Sequence, residues 1–94
     1  MKILAIEKEI KQIDWNDAQD VLTEEARKVY AYYLTGVLRE IYFNEQKNAI
    51  LILKCEDVNE ATDLLGSLPL VKDGIVTFEI MQRNPYTGLE RLMK

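Results

Sequence analysis

Hydrophobic and polar positions alternate along residues 37–44, with Val37, Arg39, Ile41 and Phe43 on one side and Leu38, Glu40, Tyr42 and Asn44 on the other. Such period-two alternation predicts a β-strand. A continuous apolar run, AILIL, follows and fits a strand covered on both faces. Between them residues 44–48 (NEQKN) form a polar loop of hairpin length. Upstream, residues 2–8 carry Leu4 and Ile6 on one face and Ile3 and Ala5 on the other, a short first strand.

The spacing then changes to that of a helix. Asp14 is placed to cap a first turn, and Thr23, followed by Glu24 and Glu25, predicts a second helix start. Ala26, Val29, Tyr30, Tyr33 and Leu34 fall at i, i+3, i+4, i+7 and i+8, the pattern of a face aimed at a core, with Tyr32 off that stripe. Gly36 marks the end, where a left-handed residue is commonly required. After the hairpin, Asp57 and Glu60 have capping-box spacing for a second helix carrying Ala61, Leu64 and Leu65 inward as far as Gly66. Residues 68–71 (LPLV) read as an apolar connector in which Pro69 prevents continued helix. Residues 75–81 alternate again, with Val76, Phe78 and Ile80 against Thr77 and Glu79. A loop over residues 83–88, containing Pro85, leads to an apolar tail with Leu89, Leu92 and Met93 near helical spacing.

The order β-α-β-β-α-β predicts an α+β, ferredoxin-like single domain over residues 1–94. Right-handed crossovers place the first and third strands at the centre of a four-stranded antiparallel sheet with both helices on one face. The other face is left bare, although its two central strands are apolar on both sides. A second copy packed sheet to sheet would remove about 600 Å² of apolar surface per partner, a gross gain of about 15 kcal/mol before association costs. We therefore expect a homodimer or a higher homo-oligomer, with the tail reaching toward the partner.

Composition narrows the chemistry. With 94 residues, 48% hydrophobic and 30% charged, the chain has the make-up of one globular domain and not of a disordered segment. A net charge of −4 argues against a nucleic-acid partner, and no apolar run approaches a membrane span, so a cytoplasmic location is expected. The single Cys55, at the end of an apolar strand, reads as an inert buried thiol. There is no histidine, which removes histidine-dependent nucleophiles, metal sites and haem ligation. Carboxylates, tyrosines, lysines and arginines are left to carry any reaction, and no metal or other cofactor is expected.

The segments LLGSLPLVKDGIVTFEIMQRNPYTGLERL and YLTGVLREIYF resemble the muconolactone-isomerase-like family of dimeric α/β-barrel proteins. The resemblance spans nearly the whole chain and is most specific at Leu68-Pro69-Leu70, Phe78-Glu79-Ile80 and Gly36-Val37-Leu38-Arg39-Glu40. It implies ferredoxin-like protomers paired through their sheets, and a cofactor-free proton shift on a small unsaturated lactone or acid. The family's histidine-and-tryptophan region after the first helix has no counterpart; residues 36–40 stand there instead.

Candidate residues therefore come from this chain's own pattern. Glu40 and Tyr42 share a strand face; were that face to line a pocket under the helices, Glu40 would act as base, with Tyr42 or Tyr33 donating a hydrogen bond to a substrate carbonyl. Arg39 could anchor a carboxylate or enolate, or form an interfacial ion pair with a partner's Glu79 position. The alternative is a non-catalytic ligand-binding or assembly module, in which Glu40 protects a sheet edge, Tyr33 packs in the core and no pocket is formed.

Overall fold

The computed structural model describes residues 1–84 and 86–92; the expectations placed on Pro85 and Met93 lie outside these. The strands are β1 (Lys2–Glu9), β2 (Leu38–Phe43), β3 (Ala49–Lys54) and β4 (Val76–Arg83), and the helices α1 (Gln19–Thr35), α2 (Val58–Gly66) and α3 (Pro69–Lys72). The sheet is antiparallel in the order β2-β3-β1-β4, with the helices on one face. This is the ferredoxin-like arrangement expected from the alternation of elements.

Strand periodicity sets the two faces. Ile3 and Ala5 of β1 and Leu51 and Leu53 of β3 are buried beneath the helices, together with Leu38, Ala61, Leu65 and Leu68. Leu4 and Ile6 pair in register with Ile52 and Ile50 on the opposite face, which no element of the described residues covers, and these four are half-buried. Glu40 and Tyr42 lie opposite Ile52 and Ile50, so they too are on this open face. The register shifts between Leu38 and Glu40. That irregularity lets Leu38 and Ile41 both turn toward the helices and breaks the uninterrupted alternation expected from residue 37.

The helices depart from the sequence reading in three places. Asp14 does cap, accepting from Asn16 N at 2.9 Å, but it opens a 3₁₀ turn over Trp15–Ala18. α1 then passes through Thr23 without a restart; the Thr23 hydroxyl donates to Gln19 O at 2.9 Å inside the helix. Secondly, the inward stripe of α1 is Leu22, Glu25, Val29 and Tyr32. Tyr32 is 9% exposed, whereas Tyr30, Tyr33 and Leu34 are 59–66% exposed. What holds the helix in that rotation is the Tyr32 hydroxyl, 2.6 Å from Leu64 O and 2.5 Å from Ser67 Oγ at the end of α2. Thirdly, Pro69 does not merely end helix; it begins α3, because a first-turn position needs no N–H.

Other caps follow the sequence. Gly36 closes α1 at φ 84°, and Asp57 accepts from Glu60 N at 2.8 Å at the start of α2. Glu60 reaches back to Glu56 N at 3.3 Å, one residue before the usual capping-box partner. Cys55 is buried, and burial pushes its thiol up in pKa, the condition of an unreactive cysteine. No helix of the described residues is long and apolar enough to cross a membrane. Beyond β4 the chain runs into a 3₁₀ turn over Gly88–Leu92 whose Leu89 and Leu92 are exposed.

Candidate active site

A cavity of about 570 Å³ lies between the sheet and α1, at the end of the sheet where β1 finishes and β4 begins. Its walls are mostly apolar, from Leu22, Val29, Leu51, Leu70, Val76 and Phe78. Three carboxylates interrupt them, of which Glu9 is exposed and Glu7 and Glu25 are half-buried. β1 turns its odd-numbered residues toward the helices, so the alternation that buries Ile3 and Ala5 brings Glu7 to the same side. From above, the inward stripe of α1 delivers Glu25.

The carboxyls of Glu7 and Glu25 are half-buried, and neither is ion-paired among the described residues. Glu25 Oε1 accepts from Leu70 N at 3.0 Å, serving as the cap that Leu68, which has no polar side chain, cannot supply to α3. Burial raises the Glu25 pKa above its ordinary 4.5, the Leu70 N–H partly opposes this, and the charge of Glu7 raises it further. Burial likewise raises Glu7, against a lowering from the Ala49 backbone and with a further push from Glu9. The ion pairs among the described residues are Lys8–Glu79 and Arg27–Glu24, so neither carboxyl has a cation at hand. Among the described residues no buried side-chain oxygen or nitrogen lacks a partner, so the unbonded oxygens of Glu7 and Glu25 reach solvent.

Each carboxyl is therefore harder to ionise than a free glutamate, and the charge of Glu7 makes Glu25 harder still. A carboxylate accepts a proton and a carboxylic acid donates one. A substrate between them could lose a proton on one side while gaining one on the other.

The same shifts dictate a pH effect on stability. Glu7 and Glu25 hold a proton more tightly folded than unfolded, so the folded chain binds more protons between 4.5 and their raised native values. Their contribution is fully present below 4.5 and is lost as pH rises through the native values. Glu25→Gln retains an acceptor for Leu70 N–H and removes one such group. Its melting temperature is expected to gain on the wild type progressively as pH is raised from 4.5 to neutrality, by a few degrees; a gap that is flat or narrows with pH would contradict the assignment.

The residues singled out from sequence are divided between locations. Glu40 and Tyr42 are brought together, the Tyr42 hydroxyl donating to Glu40 Oε1 at 2.6 Å, and that bond raises the Tyr42 pKa. Their location is the open face of the sheet and not a pocket under the helices. Tyr33 lies on α1, on the other side of the sheet, and is exposed. Arg39 sits at the register shift of β2, exposed, and Glu79 is paired within its own chain to Lys8 at 2.8 Å. Glu7 and Glu25 were not singled out, although both carry a readable signal. Each is an acid at a position where the period of its own element demands an inward residue.

No family model matches the chain, and no curated protein sequence matches it. Among solved structures it is similar to 5-chloro-2-hydroxyhydroquinone dehydrochlorinase (TftG) from Burkholderia phenoliruptrix AC1100, in complex with 2,5-dihydroxybenzoquinone. The TM-score is 0.69 over 94% of this chain and 98% of that one, at 12% sequence identity. The likeness is one of fold. What the two share is the ferredoxin-like α+β fold.

Proposed function

We propose that the chain is a cofactor-independent proton-transfer enzyme acting on a small unsaturated ring compound, with Glu7 and Glu25 as its acid–base pair. The observation that carries this is the cavity of about 570 Å³ with two carboxyls raised in pKa on its facing walls. A cavity of this size suits a small ring. In an isomerisation the carboxylate takes a proton from a carbon next to a carbonyl, and the electron pair left behind forms an enol whose oxygen receives the proton of the carboxylic acid. Return of the first proton to a different carbon, with the acid recovering its own, shifts the double bond with atoms and charge conserved. Of the substrates that the family resemblance implies, a lactone suits these walls better than a free acid, whose charge would meet two carboxyls.

We further propose that the working form is a homodimer closed through the open sheet faces. Leu4, Ile6, Ile50 and Ile52 form an apolar centre there that a single copy leaves half wet. Leu89 and Leu92, exposed in the turn after β4, add apolar surface that a partner could cover.

A second reading keeps Glu40 as the base with Tyr42 as donor and Arg39 binding the substrate, without Tyr33, and is favoured by the 2.6 Å hydrogen bond between Glu40 and Tyr42. In the dimer this pair would lie between the sheets. The test is turnover of a panel of lactones, enones and hydroxylated rings by the purified chain. Loss on Glu7→Gln or Glu25→Gln with retention on Glu40→Gln is the expected result, and the reverse pattern supports the second reading. No turnover of any member would favour a non-catalytic binding module.

A further inference from the structure

The charge on the cavity walls is lopsided in a way that proton transfer alone does not require. Glu7 and Glu9 from β1 and Glu25 from α1 line the cavity, against one base, Lys47, on the β2–β3 turn. Lys47 is exposed and forms no ion pair with any of the three among the described residues. Nor are these acids grouped as ligands for a metal: among the described residues no cluster of three or more His, Cys, Asp or Glu could hold one. The wall between the carboxyls is aromatic as well as aliphatic, with Trp15, Phe43 and Phe78 facing the space.

Each feature favours the same kind of occupant. A half-buried carboxyl without a cation is harder to ionise; a ligand that supplies the cation favours its ionised form and gains a charge-assisted hydrogen bond. Aromatic faces attract the same cation through their quadrupoles and accept the flat apolar body attached to it. A ligand carboxylate would meet only repulsion from Glu7, Glu9 and Glu25, with Lys47 left at the mouth.

We propose that the cavity's ligand is a small organic ammonium ion, an amine on or within two carbons of a flat unsaturated ring, its charge held by Glu7 and Glu25 and its ring against Trp15 and Phe78. This narrows the substrate class of the site described above and rests on that placement of the site, not on turnover. The cation would favour the ionised form of the carboxyl it pairs with, so binding would weaken as the pH falls. Among the groups facing the ligand, Glu9 adds to the attraction and Lys47 opposes it.

Calorimetric titration of the whole chain at neutral pH with 2-phenylethylamine, 2-phenylethanol and 3-phenylpropanoate compares one ring in three charge states. The amine is expected to bind about tenfold or more tighter than the alcohol, the margin of one charge-assisted hydrogen bond, and the carboxylate weakest of all. Glu7→Gln and Glu25→Gln, made singly and checked for native circular dichroism, are each expected to shrink the amine's advantage while leaving alcohol binding within about twofold. Equal or tighter binding of the alcohol, binding of the carboxylate as tight as the amine, or no binding of the amine at millimolar concentration would each overturn the proposal. Turnover of an uncharged ring that depends on Glu25, together with any of those results, would leave the catalytic reading standing and this one refuted.

Discussion

Glu25→Gln is expected to lower turnover by about 10²- to 10⁴-fold, the range for removing a positioned acid or base, without loss of the fold. The substitution preserves shape and keeps an oxygen for Leu70 N–H, so the cap on α3 that Glu25 supplies at 3.0 Å survives. What it removes is the ability to exchange a proton, together with the charge that couples Glu25 to Glu7. Glu7→Gln should cost a similar factor. The double variant should be little worse than either single one, because two groups that pass protons across one substrate act as a unit. The control is Glu24→Gln. Glu24 is one residue away on the wet side of the same helix, paired with Arg27 at 3.1 Å, and its loss should change turnover less than about twofold. Comparable losses from Glu24 and Glu25 would mean that helix stability, and not proton transfer, governs activity.

The second large effect concerns the open face. Ile52→Asp is expected to convert the proposed dimer into monomers of 10.9 kDa in sedimentation at micromolar concentration, where the wild type is expected at twice that mass. Ile52 sits on a central strand between Glu40 on β2 and Leu4 on β1, where a partner's sheet would have to exclude water. An unpaired carboxylate buried at that point costs about 3–5 kcal/mol, roughly 10²- to 10³-fold or more in the dissociation constant. Directly across on β2 lies Glu40, which is engaged with Tyr42 and adds like charge; Lys54 and Lys2, further along the same face, are exposed to solvent. Because Ile52 points away from the helices, the protomer core of Leu51 and Leu53 should persist and far-UV circular dichroism should be unchanged. A wild-type chain that sediments as a monomer at the same concentration would remove the basis for the pairing.

The order of elements was legible because each boundary carries its own local chemistry: Gly36 in the left-handed region, Asp57 on Glu60 N, and strict alternation in β1 and β4. The rotation of α1 was not. Two stripes compete there, and the one containing Tyr30, Tyr33 and Leu34 is longer and more apolar than the one containing Leu22, Val29 and Tyr32. The second wins through a contact 32 residues away, the Tyr32 hydroxyl on Leu64 O, which no local pattern encodes. Glu25 interrupts that winning stripe and Glu7 extends the buried face of β1, so the features that make them candidates for chemistry also disguised them as solvated acids. Glu40 and Tyr42 illustrate a different limit. Period two put them correctly on one face, but alternation alone does not say which side the helices will cover, and the shift at Leu38 hides even that phase.

The most direct test is a carboxyl ¹³C NMR titration of glutamate-labelled protein, with Glu7 and Glu25 assigned by substitution. Both should titrate above 4.5, and replacing Glu7 by glutamine should bring the Glu25 midpoint down, since Glu25 would then lose a neighbouring negative charge. Two midpoints at or below 4.5, with that of Glu25 unmoved by loss of Glu7, would contradict a coupled acid–base pair in this cavity.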